Sequence, residues 1–239
     1  MRFIGHAFVD WDDTIAENIK YFNMAEDANA HLIARLTRHE YRVVRERGRE
    51  IDLAVARSIG LGKDSLGIAW LQCYQEFAGR AGLPVDPDGA EAIRRSCLMP
   101  YEVKQELQTG AADLLGWLHG SGFEVTIWTA GDHDVQGRKI AESGLTHLIH
   151  RQAIVPDKTP ERLLAALESR DPSLSFVVGN SLHSDIRPAL AIGLLAIHIP
   201  TETWAYDHAH LNVSDPNYQS IQQLSELPQV LASRFRMAV

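Results

Sequence analysis

The segment from Gly110 to Pro200 constrains the fold most, because short apolar runs alternate there with stretches of helical periodicity. The pattern predicts strands at 123–128, 152–155, 174–178 and 194–199, and helices at 112–119, 135–142, from 160 onward, and 185–192. Such alternation is typical of a parallel sheet with helices on both faces. We therefore predict an α/β domain in which 194–199 is the last strand of the series.

The start of the chain adds one more strand and a long helical segment. Residues 3–9 are largely apolar and Asp10 follows at once, whereas from Ile15 to about Lys104 apolar residues recur at helical spacing. We predict an α/β core of residues 1–15 and 105–239, interrupted by an all-helical domain of residues 16–104. The helical segment holds equal numbers of acidic and basic residues, so the net charge of −8 belongs to the core.

Polar side chains follow several predicted strands at their carboxyl ends. They are Asp10, Asp12, Asp13 and Thr14 after the first strand, Thr129 and Lys158 after the next two, and Asn180, Ser181, Ser184 and Asp185 after the fourth. Ligands of open parallel sheets bind at this edge. Because clustered carboxylates repel each other, a hard cation such as Mg²⁺ would stabilise them and attract a dianionic phosphate.

These residues resemble the motifs of a known family. Asp10-Trp11-Asp12-Asp13-Thr14 is similar to the DxDxT signature of the haloacid dehalogenase-like superfamily. Thr129, Lys158 and the segment 179–185 resemble its second, third and fourth motifs, in the expected order. The helical segment is similar to the C1 cap of that superfamily. The resemblance covers nearly the whole chain and implies a Rossmann-like parallel sheet core with an inserted all-helical cap.

The resemblance also implies a role for each matching residue. Asp10 would be the nucleophile that forms an aspartyl-phosphate, and Asp12 would be the general acid and base. Thr129 and Lys158 would bind the phosphoryl group. The Mg²⁺ ligands would be Asp10, the backbone carbonyl of Asp12, Asp185 and, directly or through water, Asn180. Thr14 and Ser184 would support the site.

The acid at position 12 favours one branch of the superfamily. The dehalogenase branch lacks an acid at this position, and the phosphonoacetaldehyde hydrolase branch also replaces it. We therefore expect a Mg²⁺-dependent phosphatase that hydrolyses a small phosphorylated metabolite under a helical cap. A phosphomutase or phosphotransferase of the same fold is an alternative. A phosphate-accepting signalling domain is disfavoured, because such domains are shorter, lack a cap and carry the phosphorylated Asp on a later strand.

The match departs from the family pattern at two positions. Asp13 stands where Gly is common, which adds a negative charge beside the nucleophile unless the side chain points away. Asn180 stands where Asp is common, which suggests weaker or altered metal binding. Trp11 either lines the leaving-group pocket or packs in the core.

Two further segments allow alternative interpretations. Gly60 to Ser65 resembles a P-loop but has Asp64 after Lys63, so it is either a turn between helices or a cap loop that touches substrate. Trp204, Tyr206, His208 and His210 follow the last predicted strand and either border the pocket or serve structural roles.

The remaining composition predicts the cellular context. Cys73 and Cys97 belong to no CxxC pair, which favours buried reduced thiols and a cytoplasmic protein without a secretory signal. A pI near 5.7 and the absence of a long apolar run predict neither a nucleic-acid nor a membrane partner. The oligomeric state is left open.

Overall fold

The computed structural model describes residues 3–60, 62–201 and 214–235. Contacts divide the chain into two compact units, which we call the core unit (1–19 with 104–239) and the helical unit (20–103). The predicted boundaries were 15/16 and 104/105. Residues 16–19 group with the core because Ala16 forms β-bridges with Asp12 and Leu107, and the Glu17 N–H donates to the Glu106 carbonyl at 2.8 Å.

In its described residues, the helical unit contains four helices around an apolar core of its own. They are α1 (Ile19–Thr37), α2 (Tyr41–Ile59), α3 (Ser65–Arg80) and α4 (Pro87–Glu102). Trp70 and Phe77 are fully buried in this core, and Gly48 lets the Trp70 ring approach α2, since a Cβ there would lie 2.5 Å from the ring. Cys73 and Cys97 are buried free thiols, as predicted.

Leu61, in the segment between α2 and α3, falls outside the described residues. The hydroxyl of Ser65, the first residue of α3, donates to the Gly62 carbonyl at 2.8 Å. Both interpretations of Gly60 to Ser65 stay predictions.

Within the part of the core unit that the structure describes, six strands form one sheet, and their pairings are parallel. Its order is β3-β2-β1-β4-β5-β6, with strands β1 (Gly5–Val9), β2 (Phe123–Ala130), β3 (Arg151–Val155), β4 (Ser175–Gly179), β5 (Leu195–His198) and β6 (Tyr218–Ser220). The predicted α/β parallel sheet is confirmed. The prediction that 194–199 ends the series was wrong, because β6 pairs with β5 beyond it. A three-residue polar edge strand leaves no hydrophobic pattern to detect.

Helices cover both faces of the sheet. They are α5 (Ala111–Gly120), α6 (His133–Glu142), α7 (Pro160–Leu167), α8 (Arg187–Ala191) and α9 (Leu227–Phe235). Val9 packs in one cluster with Leu115 of α5 and Leu231 of α9, whereas Phe8 packs in another with Leu163 of α7 and Ala189 of α8. Successive residues of a strand point to opposite faces, so one apolar strand serves both layers.

The helices that follow β3 and β4 begin near the carboxyl edge of the sheet. At α7 the Thr159 hydroxyl accepts the Arg162 N–H at 3.3 Å and Pro160 occupies the first helical position, as predicted. The helix predicted over 185–192 instead begins as a π-helical turn, Leu182–Ile186, followed by α8. Its wider turn is closed by the Ile186 N–H, which donates to the Ser181 carbonyl at 3.2 Å.

The predictions about Trp204, Tyr206, His208 and His210 fall outside the described residues. Across the described ranges of the chain, no helix combines the length and apolar character needed to cross a membrane.

Candidate active site

The loop after β1 begins at the carboxyl edge of the sheet. The Asp10 N–H donates to the Val178 carbonyl at 2.9 Å, which extends the pairing of β1 with β4 by one residue. The chain then turns sharply, because the N–H groups of Ile15 and Ala16 both donate to the Trp11 carbonyl at 2.9 and 3.0 Å. Trp11 is fully buried and donates to Gln105 Oε1 at 2.9 Å, so it packs in the core unit.

Lys158 bridges two buried carboxylates. Its Nζ donates to Asp10 Oδ1 and, at 2.5 Å, to Asp185 Oδ1. The three side chains are 4%, 5% and 0% exposed for Lys158, Asp10 and Asp185. Thr14 completes the contacts of Asp10 by donating its hydroxyl to Oδ2 at 2.7 Å. We call Asp10, Thr14, Lys158 and Asp185 the Lys158 cluster.

Burial and mutual repulsion set the ionisation of this cluster. Burial and the Asp185 charge raise the pKa of Asp10 above its usual value, and Lys158 and Thr14 offset only part of that rise. Burial alone would lower the pKa of Lys158, but the two carboxylates raise it above its usual value. The ammonium therefore stays charged, and one positive charge faces two acids.

The segment after β4 positions Asp185 within the Lys158 cluster and Asn180 beside it. A Cβ at Gly179 would lie 2.3 Å from Asp185 Oδ2, so only glycine leaves room for this carboxylate. The Ser181 N–H donates to the same oxygen at 3.0 Å. Asn180 Oδ1 lies 3.4 Å from the Thr14 hydroxyl, which places the amide oxygen at the Lys158 cluster. Ser184 contributes its backbone N–H, which donates to the Ser181 hydroxyl at 2.8 Å.

Asp12 lies in a second group of contacts. Its Oδ1 accepts from Gln105 Nε2 at 2.9 Å and from Lys139 Nζ at 3.0 Å, and its Oδ2 accepts from Gln136 Nε2 at 2.9 Å. Thr129 joins this group, because Gln136 Nε2 also donates to the Thr129 hydroxyl at 2.5 Å. We call these five residues the Asp12 network.

The Asp12 network favours the ionised carboxylate. Burial by itself would raise the pKa of Asp12, but the Lys139 ammonium and the hydrogen bonds from Gln105 and Gln136 outweigh it and lower the pKa below its usual value. All three partners donate N–H hydrogen bonds to Asp12, and none of them presents an acceptor that could bond to a proton on Asp12. Asp12 is therefore a carboxylate in the resting site.

Asp13 directs its carboxylate to the start of α1. Its backbone has φ 63°, a left-handed conformation that glycine adopts most easily. Its Oδ1 accepts the N–H groups of Asn18 and Ile19 at 2.7 and 2.9 Å. Burial raises the pKa of this carboxyl to about 7, and the two N–H bonds offset that rise only in part. Asp13 thus adopts a backbone conformation that favours glycine, and its side chain accepts hydrogen bonds from the turn that follows.

The donor atoms at this edge suit a hard divalent cation. Among the described residues, no group of three or more His, Cys, Asp or Glu side chains has a metal-binding arrangement. The Lys158 cluster offers two carboxylates, Asp10 and Asp185, and Asn180 adds an amide oxygen beside Thr14. One or two carboxylates completed by neutral oxygens and water is the usual ligand set of Mg²⁺, so these residues fit the ion.

The structure thus sorts the residues predicted from the sequence into two groups. Asp10, Thr14, Lys158, Asn180 and Asp185 lie together, while Asp12 and Thr129 are joined through Gln136. Sequence reasoning did not identify Gln105, Gln136 and Lys139. The available signal was weak: Gln136 and Lys139 are polar residues next to the apolar Val135 and Ile140 on a predicted helix.

Comparisons with known proteins identify the fold. No family model matches the sequence, and no curated protein matches it either. A haloacid dehalogenase-like family hydrolase from Xanthomonas campestris is similar in structure, with a TM-score of 0.81 and 21% identity over 99% of this chain and 98% of that one.

Two further solved structures agree. A protein from Bacillus subtilis, described as a HAD hydrolase bound to magnesium, has a TM-score of 0.64 and 20% identity over 97% of this chain and 99% of that one. A HAD phosphatase from Thermococcus onnurineus has a TM-score of 0.61 and 20% identity over 95% and 97%. Dehalogenases are also among the similar structures. Since these identities are low, they bear on architecture alone, and the chain has the fold of the haloacid dehalogenase-like hydrolases.

Proposed function

We propose that this protein is a Mg²⁺-dependent phosphomonoester hydrolase of the haloacid dehalogenase-like superfamily that works through an aspartyl-phosphate on Asp10. The contact that carries the proposal is the Lys158 ammonium, which touches both Asp10 and Asp185 at the carboxyl edge of the sheet. A buried cation beside a buried nucleophilic carboxylate is suited to bind and stabilise a phosphoryl group.

The reaction would proceed in two displacements. An oxygen of Asp10 attacks phosphorus and the bond from phosphorus to the substrate oxygen breaks. Asp12, which the negative charge of the bound phosphate would lead to take up a proton from solvent, gives that proton to the leaving alkoxide and becomes a carboxylate again. Water then attacks the phosphorus of the aspartyl-phosphate and gives up a proton to Asp12, while the bond to Asp10 breaks and phosphate is released. Asp12 is suited to this second step because its surroundings hold it as a carboxylate.

The metal would be held by this chain's oxygen donors. Asp10, Asp185, Asn180 and the backbone carbonyl of Asp12 would bind Mg²⁺, which would offset negative charge on the phosphoryl oxygens. Lys158 would stay in contact with Asp10 and orient it. Thr129 would present its hydroxyl to a phosphoryl oxygen.

The acid at position 12 favours phosphate esters over haloacids. A dehalogenase has no leaving alcohol to protonate, and the branch that performs that reaction lacks the acid, as the motif resemblance implies. In this chain the acid is present and three donors hold it in place. The magnesium-bound protein and the phosphatase among the similar structures are consistent with this choice.

We further propose that the helical unit acts as a cap that restricts the substrate to small phosphorylated metabolites. The acidic core, with its net charge of −8, disfavours a nucleic-acid partner. A cytoplasmic location stays a prediction.

A substrate panel tests the proposal. Sugar, nucleotide and amino-acid phosphates, together with 2-haloacids, are incubated with the full chain with Mg²⁺ and with EDTA. We expect release of inorganic phosphate from at least one ester only when Mg²⁺ is present. Asp10→Asn should lower that rate at least about 10³-fold, because the amide oxygen is a poor nucleophile. Asp113→Asn, at an exposed position of α5, is the matched control.

Three outcomes would contradict the proposal. One is halide release from a haloacid with no phosphatase activity, which would make the chain a dehalogenase. Another is formation of an isomeric sugar phosphate without free phosphate, which would make it a mutase. The third is full phosphatase activity in Asp10→Asn, which would remove Asp10 from the role of nucleophile.

A further inference from the structure

The Asp12 carboxylate is held from both of its oxygens. Lys139 and Gln105 donate to Oδ1 at 3.0 and 2.9 Å, and Gln136 donates to Oδ2 at 2.9 Å. A carboxylate that accepts hydrogen bonds at only one oxygen can still rotate about its Cβ–Cγ bond. Hydrogen bonds at both oxygens fix the plane of the carboxylate. Asp12 keeps 23% of its side chain exposed and can therefore contact a water molecule. Lys139 keeps only 4% of its side chain exposed and cannot.

Each donor is itself anchored. Lys139 Nζ and Gln105 Nε2 also donate to Asn18 Oδ1, both at 3.0 Å, and Gln105 Oε1 accepts from Trp11. Gln136 Nε2 also donates to the Thr129 hydroxyl. The donors therefore cannot follow Asp12 if it turns, and their positions dictate its orientation.

Helix α6 supplies two of these donors by its periodicity. Gln136 and Lys139 are three residues apart, so they lie on the same face of the helix, and both are buried. The Asp132 carboxylate starts the helix by accepting the Asp134 and Val135 N–H groups at 3.0 and 3.1 Å. A lysine buried in this way is costly unless it is paired, and its partner here is an acid of the active-site loop.

Two explanations of the buried pair make different predictions. If Lys139 served only to stabilise the fold, an apolar side chain of similar length could replace it without changing the chemistry, as holds for many buried ion pairs. If it orients Asp12, its loss would affect the one step in which Asp12 takes a proton from water.

We propose that Lys139 and Gln136 are positioning residues that hold Asp12 for the hydrolysis of the aspartyl-phosphate. The inference rests on the proposed function. Attack by Asp10 on an ester with an acidic leaving group needs no proton from Asp12, so this first step is spared when the anchors are removed. Attack by water on the aspartyl-phosphate requires a base at a defined position, so the second step slows.

Burst kinetics with 4-nitrophenyl phosphate and Mg²⁺ test the proposal. In Lys139→Met we expect a rapid burst of about one nitrophenolate per enzyme, followed by a steady state about 10²-fold slower than wild type. Mass spectrometry of the acid-quenched variant should show the phosphate adduct on Asp10. Gln136→Leu should give the same burst with a smaller loss, and Lys139→Arg should recover part of the steady-state rate. Lys104→Met, at an exposed position of the core unit, is the matched control.

The possible results separate the two proposals. A fall in steady-state rate without a burst or adduct in both Lys139→Met and Gln136→Leu would overturn the positioning role. Unchanged steady-state rates in both variants would do the same. If the wild-type protein with Mg²⁺ released no nitrophenolate and no phosphate from any ester of the panel, the proposed function itself would fail.

Discussion

The ion pairs at the candidate site of the core unit and those on the helix surfaces of the helical unit differ in burial. In the core unit, Lys158 and Lys139 are each 4% exposed and contact acids at the carboxyl edge of the sheet. In the helical unit, pairs such as Arg94 with Glu91 lie on helix surfaces and keep 55% and 59% of their side chains exposed.

The difference shows that charged side chains are buried mainly where they belong to the candidate site. Burying a charge costs several kcal/mol per ion even after pairing, whereas an exposed ion pair changes stability by about 1 kcal/mol or less. The core unit accepts that cost at the edge of the sheet where ligands bind. In the helical unit, most charge serves to solvate helix faces, so mutations of charged residues in the two units should differ in size and kind.

The largest effect is expected for Lys158→Met. Removing the ammonium leaves Asp10 and Asp185 buried, close together and without their cation, so we expect a loss of about 3–5 kcal/mol in the free energy of unfolding. Phosphatase activity should fall at least about 10³-fold. Urea unfolding of the full chain and a phosphate-release assay measure the two quantities, with Lys104→Met as the control. A variant as stable as wild type would show that breaking this buried ion pair costs little free energy, which would contradict the contrast between the two units.

Gly179→Ala should follow in size. The new Cβ would lie 2.3 Å from Asp185 Oδ2, so Asp185 must shift and weaken its bonds with Lys158 and the Ser181 N–H. We expect a cost of about 1–3 kcal/mol in stability and at least about a 10²-fold loss of activity. Gly116→Ala is the matched control, since its Cβ meets no atom within 4 Å, and it should stabilise α5 slightly. Wild-type activity in Gly179→Ala would mean that the position of Asp185 is not critical.

Asp52→Asn tests a carboxylate of the helical unit that, unlike most of its charged groups, has a pKa raised by burial. Burial, and to a smaller degree the Glu26 charge, raise the pKa of Asp52 to about 6 from 3.8. Since the folded state then binds the proton more tightly than the unfolded chain, stability falls as the pH rises from about 4 to about 6.

Asp52→Asn should remove this fall in stability with rising pH. We expect Asp52→Asn to be more stable than wild type by about 1–2 kcal/mol at pH 7 and equal to it near pH 3. Hydrogen exchange of α2 and α3 amides at several pH values measures the difference, with Glu46→Gln, exposed on α2, as the control. A variant that is less stable at pH 7 would show that the carboxylate has a stabilising partner.

The smallest effect is expected for Arg94→Ala. Its contact with Glu91 spans 3.5 Å at the surface of α4, so its loss should change the free energy of unfolding by less than about 0.5 kcal/mol at physiological salt. Thermal melts at low and high salt measure it. A loss comparable with that of Lys158→Met would break the contrast between the units.

Predictability from the sequence also differs within the site. Asp10, Lys158 and Asp185 were predicted because each follows an apolar run that forms a strand, and parallel strands bring such residues to one edge. Asp12 and Thr129 were predicted on the same ground, but their connection through Gln136 was not. The conformation of Asp13 could be expected only as one of two alternatives, and the contacts with Asn18 and Ile19 settled it.

By itself the sequence determined the α/β order of elements and the residues at the strand ends, because hydrophobic periodicity is local and strand polarity then places those residues together. Only the tertiary structure decided which donors surround Asp12, that Lys158 bridges two acids, and that β6 extends the sheet. Those features depend on groups far apart in the chain, side chains in the first two cases and backbone in the third, meeting within about 3 Å. Distances of this kind follow from packing, and no local pattern of residues encodes them.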